Sequence, residues 1–196
     1  MSTRDRILDA AYEVMRTAGL ARATTKEIAR AAGFSEATLY KHFVDKTDLF
    51  VHVLAERLPA FLPVVDELSA APERAGVGEN LERIGRAALD FYAESFPIAA
   101  SVFSEPRVMA AHREGLRRTG AGPAGPNRAV TAYLAVERDR GRIAADADLD
   151  AVASLLLGAC LQHAFLSHFG ADGRSSDEVA AALATTLARA LAPGVG

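Results

Sequence analysis

Apolar positions along this chain recur at helical spacing throughout, and no stretch alternates apolar with polar as a half-buried strand would. A first stripe runs through Ile7, Leu8, Ala11, Val14, Met15 and Ala18, with Ser2 or Thr3 placed to cap it and Gly19 to close it. Thr24 then opens a second helix, with Glu27 three residues on as the reciprocal partner of a capping box. Its inner face is Ile28, Ala29 and Ala32, and Gly33 ends it. Ser35 recaps the chain almost at once, so a third helix follows over Glu36–His42 with Leu39 and Phe43 pointing inward. A fourth begins at Lys46 and carries Leu49, Phe50, Val53, Leu54 and Leu58. Pro59 and Pro63 predict a break between Leu58 and Val64, since each removes a backbone donor and clashes with the preceding turn.

Beyond a loop at residues 70–78 the pattern stays helical. A helix from Glu79 carries Leu81, Ile84, Ala88, Leu89, Phe91, Tyr92 and Phe96 and is ended or restarted by Pro97. A short helix over Ile98–Ser104 precedes one opened by Pro106 over Val108–Arg118. The stretch Thr119–Pro126, TGAGPAGP, reads as a mobile surface connection; with no Gly-Lys-Ser/Thr ending and no strand before it, it is not a phosphate loop. Asn127 is placed to cap a helix ending at Gly141, and Leu149–Phe169 is apolar nearly all round. Ser175 or Ser176 caps the last helix, striped by Val179, Leu183, Thr186, Leu187, Ala190 and Leu191. The class is all-α.

The short third helix is the informative one. Its outer face holds Glu36, Ala37, Tyr40 and Lys41, where small Ala37 allows close approach and Thr38, Tyr40 and Lys41 supply donors. That arrangement suits a DNA major groove, with the start of the helix at base edges and its flanks at phosphates. The run T-T-x-x-I-A-x-x-A-G, then S-x-x-T-L-Y-x-H-F, then Lys46 with Leu49 three residues later, resembles the TetR family of bacterial transcriptional regulators over residues 4–52. The resemblance implies an N-terminal three-helix helix-turn-helix DNA-binding domain at residues 1–46 and a C-terminal helical ligand-binding and dimerisation domain at 47–196. On the matching positions it assigns Thr25, Lys26, Tyr40, His42 and Lys46 to phosphates, and Ser35, Glu36, Ala37, Thr38 and Lys41 to base edges or groove walls. Glu36 either accepts from a cytosine amino group or lies aside, because phosphates repel a carboxylate.

A helix apolar on all sides must be covered on all sides. The 196-residue chain has difficulty doing this alone, and in the family the last two helices pair with their copies. The expected homodimer interface is Leu155, Gly158, Ala159, Leu166, Val179, Leu183 and Leu187, with Gly158 and Ala159 permitting a close crossing.

Charge and chemistry narrow the classes. The net charge of −3 argues against a nonspecific coat on nucleic acid. Residues 1–50 nevertheless hold eight Lys or Arg against seven Asp or Glu, the rest 14 against 18, and all three lysines lie at positions 26, 41 and 46. One cysteine, Cys160, excludes an internal disulfide and fits a reducing cytoplasm. No leader pattern and no run of about 18 apolar residues is visible, so no membrane is expected.

No catalytic set emerges. Cys160 and His163 lie three apart on a helix where a buried Cys acts as a small hydrophobe, and His163 and His168, five apart, are poorly placed for one metal. The expectation is therefore no enzyme, no cofactor and no metal. Tyr92, Phe96, Phe103, Met109, His112, Tyr133, Gln162, His163 and Phe165 combine aromatic walls with a few polar tips, as ordinary cores and small-molecule cavities both do. Together with the resemblance they suggest a pocket for a small, mostly apolar effector, with Gln162 and His163 as its polar contacts. The expected function is a repressor that binds a palindromic double-stranded DNA operator as a homodimer and is released by ligand, its heads respaced through the kinked fourth helix. The alternatives are a ligand-binding or scaffold protein of the same fold that has lost specific DNA binding, and a hydrolase using Cys160.

Overall fold

The computed structural model describes residues 1–71, 75–104, 106–119, 122–170 and 173–193, and these contain helices and no strand. Residues 72–74 of the expected loop, and Gly120 and Ala121 of the expected mobile connection, lie outside them. The helices are α1 Thr3–Arg22, α2 Thr25–Ala32, α3 Glu36–Leu39, α4 Lys46–Glu56, α5 Leu62–Ala70, α6 Val77–Ala100, α7 Pro106–Thr119, α8 Gly125–Asp139, α9 Leu149–Ser167 and α10 Ser176–Leu191.

Local chemistry accounts for most boundaries. Ser2, Thr24 and Ser175 each form a reciprocal capping box, with Asp5, Glu27 and Glu178 as partners. Gly19, at φ 76°, breaks the ladder of α1 before one further turn. The chain parts between α4 and α5 at residues 57–61, which overlaps the expected interval Leu58–Val64 but begins two residues before Pro59.

Three expectations shift. The third helix is only four residues long, and beyond it Lys41 and His42 bond to the carbonyls of Thr38 and Leu39 in tighter turns. Helix α6 continues through Pro97 to Ala100, because a missing donor in the last turn of a 24-residue helix removes little. Helix α8 starts before Asn127, with Pro126 in its first turn, and the Asn127 side chain lies 3.4 Å from the Ser154 hydroxyl instead of capping.

The chain divides into two compact units. One comprises Met1–Leu58 with Glu94–Gly122, the other Pro59–Ala93 with Pro123–Gly196, so the first unit takes in much more than the expected residues 1–46. In the first, Ile7, Leu8, Ala11, Met15 and Leu20 of α1 are buried, as are Ile28, Ala29, Leu39, Phe43, Leu49, Phe50 and Val53. Helix α7 packs against α4 there. The core of the second joins α5, the Val77–Ala93 part of α6, α8, α9 and α10 around Leu81, Ile84, Tyr133, Leu134, Leu156, Cys160 and Ala184.

Glu137, fully buried, pairs with Arg142 at 2.5 Å across the turn that ends α8. Helix α9 corrects one expectation: among the described residues it is long and apolar enough to cross a membrane by length and composition. Its buried side, from Leu149 through Ala153, Leu156 and Cys160 to Ala164, supplies core of the second unit.

Candidate nucleic-acid interface

Helices α2 and α3 stand on the buried row Ile28, Ala29, Ala32, Leu39 and Phe43, which leaves their other faces outward. Lys26, Ser35, Ala37, Tyr40, Lys41 and His42 are exposed, while Thr25, Glu36, Thr38 and Lys46 are half-buried. The ten expected DNA residues therefore all belong to the first unit and gather at the start of α2, along α3 with its cap and the turn after it, and at the start of α4.

Hydrogen bonds organise this face. The Thr25 hydroxyl donates to the Glu36 carboxylate and lies 3.1 Å from the Tyr40 hydroxyl, tying the first turn of α2 to both ends of α3. Glu36 is thus held toward α2. The Ser35 hydroxyl accepts from the Thr38 amide at 3.2 Å and pairs with the Thr38 hydroxyl at 2.9 Å, so both oxygens serve the cap of α3. Lys46 Nζ donates to the Ala21 carbonyl at 3.2 Å, fastening the start of α4 to the last turn of α1.

Several residues that shape this unit are not apparent from sequence spacing. Arg4 donates to both Glu56 oxygens at 2.8 and 2.6 Å, approaches His52 Nδ1 at 3.1 Å and lies 5.5 Å from the Phe43 ring centroid. Those bonds hold the Glu56 carboxyl down at about 2, against its partial burial, with His52 assisting. Arg57 reaches back to Asp9 at 2.7 Å and Asp5 at 3.3 Å. Arg6 donates to the Ala32 carbonyl at 2.9 Å, with its guanidinium carbon 4.6 Å from the Phe34 ring centroid. Both Arg4 and Arg6 thus have protein partners.

The expected effector residues fall in both units. Phe96, Phe103, Met109 and His112 belong to the first; Tyr92, Tyr133, Gln162, His163 and Phe165 belong to the second. Phe103 is 77% exposed, and Gln162 and Phe165 are also exposed. Burial pushes Tyr92 up to about 12 and raises Tyr133, and it lowers His112, whose ring lies 5.2 Å from that of Phe50. Two hollows open on the first unit, one of 360 Å³ lined by Arg6, Asp9, Glu13 and Ala32 among others, the second of 260 Å³ lined by Leu20, Lys46, Thr47, Arg107, Ala111 and His112.

Of the expected dimer residues, Leu155, Gly158 and Leu166 lie on an exposed side of α9 that also carries Leu161 and Phe165. Ala159, Val179 and Leu183 are half-buried, whereas Leu187, 8% exposed, belongs to the core stripe Ala180, Ala184, Leu187 and Leu191 of α10. The Cys160 thiol faces the Gly85 carbonyl at 3.6 Å, and burial pushes it up to about 12, the reverse of what a nucleophile needs.

Residues 7–53 match the signature of the bacterial regulatory proteins, tetR family. Among curated proteins, the chain is 38% identical over 88 residues to the HTH-type transcriptional regulator SrpR of Pseudomonas putida, which covers 45% of this chain and 38% of SrpR. It is likewise 38% identical over 88 residues to the uncharacterized HTH-type transcriptional regulator TtgW of the same species, where the match spans 61% of that protein. The aligned stretch thus stays below two thirds of either relative's length. The whole fold is similar to that of FadR from Bacillus subtilis, solved in complex with stearoyl-CoA, at a TM-score of 0.68 and 19% identity over 93% of this chain and 96% of that one.

Proposed function

Because the chain belongs to the tetR family of bacterial regulatory proteins, we propose that it is a ligand-released repressor that binds a palindromic operator as a homodimer in the cytoplasm. The observation that carries this reading is the outward face of α2 and α3, where exposed Lys26, Ala37, Tyr40, Lys41 and His42 surround a helix start with a small residue at its first turn. Lys26, Tyr40, His42 and Lys46 act at phosphates. Ser35, Ala37, Thr38 and Lys41 approach base edges. Glu36 serves as a brace: its bond from Thr25 holds the carboxylate toward α2 and aligns Thr25 for the backbone.

Two copies meet through the exposed apolar side of α9, since one small reading head makes few contacts and two half-sites supply the affinity. A small, mostly apolar effector binds the second unit, with Tyr92 and Tyr133 among its walls and His163 at its polar end. Releasing DNA a hundredfold needs only about 2.7 kcal/mol of effector preference for the released state.

The test is fluorescence anisotropy of the full chain with a duplex from the DNA flanking its own gene. Binding should be selective over a scrambled duplex, with two protomers per site and affinity falling steeply between about 50 and 200 mM salt. Binding indifferent to sequence would transfer support to a scaffold that has kept the fold and lost the reading.

A further inference from the structure

The turn between α2 and α3 is closed from inside and from outside. Inside, the Phe34 amide donates to the Ala29 carbonyl at 2.8 Å and the Gly33 amide to the Arg30 carbonyl at 3.1 Å, the paired bonds of a Schellman closure around Gly33 at φ 77°. Those two bonds occupy the carbonyls of Ala29 and Arg30. The Ala32 carbonyl is taken from outside by Arg6 of α1, 26 residues earlier, at 2.9 Å. The same guanidinium lies over the Phe34 ring, 4.6 Å from its centroid. Gly33 leaves it room, for a Cβ at that position would come within 3.1 Å of Arg6 Nη2.

We propose that Arg6 is a positioning residue for DNA reading, a planar clamp that sets where the turn delivers Ser35 and hence how α3 is presented. The proposal rests on the reading of α3 as the groove-facing helix. A four-residue helix cannot fix its own direction, since one turn is the unfavourable nucleus of a helix rather than a stable segment. Leu39 and Phe43 anchor its far end in the core, and the near end depends on Gly33 and Phe34. Arg6 therefore acts through Ala32 and Phe34 on Ser35, Ala37, Thr38 and Lys41 without touching DNA. An ammonium does not replace it, because the site uses a flat group that donates at its edge while stacking on its face.

The experiment compares the wild-type full chain with Arg6→Ala, Arg6→Lys and Phe34→Leu, using the gene-flanking duplex and a scrambled duplex of equal length across a salt series. Arg6→Ala should lose about tenfold in affinity for the flanking duplex, the scale of one charged hydrogen bond, with less loss on the scrambled one. Its salt slope should equal that of the wild type. Arg6→Lys should not restore binding, and Phe34→Leu should give a smaller loss that vanishes in the Arg6→Ala background. A slope reduced by about one, with rescue by Arg6→Lys, would instead make Arg6 a phosphate contact and overturn the proposal. Hydrogen exchange is the second readout: the Gly33 and Phe34 amides should exchange at least about tenfold faster in Arg6→Ala, and unchanged protection would also overturn the clamp. A wild-type chain that ignores DNA sequence defeats the groove reading and the DNA role of Arg6 together, while the exchange result still decides whether the turn is clamped.

Discussion

Arg4 and Glu56 join the first turn of α1 to the last turn of α4, and the pair carries a pH signature. A carboxyl held at about 2 in the folded chain, against 4.5 ordinarily, contributes stability that is complete above about pH 4.5 and is lost as pH falls toward 2. Because Glu56 keeps about a third of its surface, the solvent-screened contribution is about 1 kcal/mol or less. Urea midpoints at pH 6 and pH 3 should therefore converge in Glu56→Gln relative to wild type, and an unaltered pH dependence would remove the pair from the acid limb. Cys160 offers a second check: with its thiol raised to about 12 in the core, iodoacetamide at pH 8 should leave the native chain unlabelled and modify it in urea. Rapid native labelling would reopen the thiol chemistry. At this scale, sequence disclosed what is local. The Thr24–Glu27 box and the Ser35 cap are set by three-residue spacings, whereas the partners of Arg4, Arg6 and Lys46 lie 25 to 52 residues away and follow from tertiary packing alone.

Proline and glycine mark the elements, with uneven legibility. Pro59 and Pro63 locate the gap between α4 and α5 because their constraint acts on the preceding turn, yet Pro97 is absorbed near the end of α6. Gly115 carries a meaning that helical periodicity conceals. Helix α7 passes so near the start of α4 that a Cβ at residue 115 would lie 2.6 Å from Thr47 Cβ. Gly115→Ala should thus destabilise the first unit by about 1–3 kcal/mol, the range for an overpacked contact, even though alanine is the better helix former. Gly76→Ala, outside any helix, is the control for crowding alone, since a Cβ there meets nothing within 4 Å. Equal urea midpoints for the two variants would mean that α7 yields easily against α4.

At the scale of the molecule, the all-α class could be derived from the chain, but the partition into units could not. Nothing in the spacing of apolar residues tells that Glu94–Gly122 returns to the unit built from Met1–Leu58. The expected effector residues fall in both units, and Leu187 is buried within the chain beside Ala180, Ala184 and Leu191, neither of which the spacing tells. The exposed side of α9 gives the decisive prediction here. Leu155→Glu and Phe165→Glu, at 63% and 42% exposure, should leave each chain folded while converting a dimer to monomers in sedimentation, and operator affinity should fall at least about tenfold as the half-sites uncouple. Wild-type chain sedimenting as a monomer at micromolar concentration would refute the assembly. The contact at Gly115 and Thr47 also governs how this protein can be recombined. A chimera cut after residue 46 would transplant a recognition surface while abandoning the helix wedged against its supporting element. Residues 1–58 and 94–122 form one compact unit, so moving that unit whole calls for two splice junctions in addition to the one at Leu58.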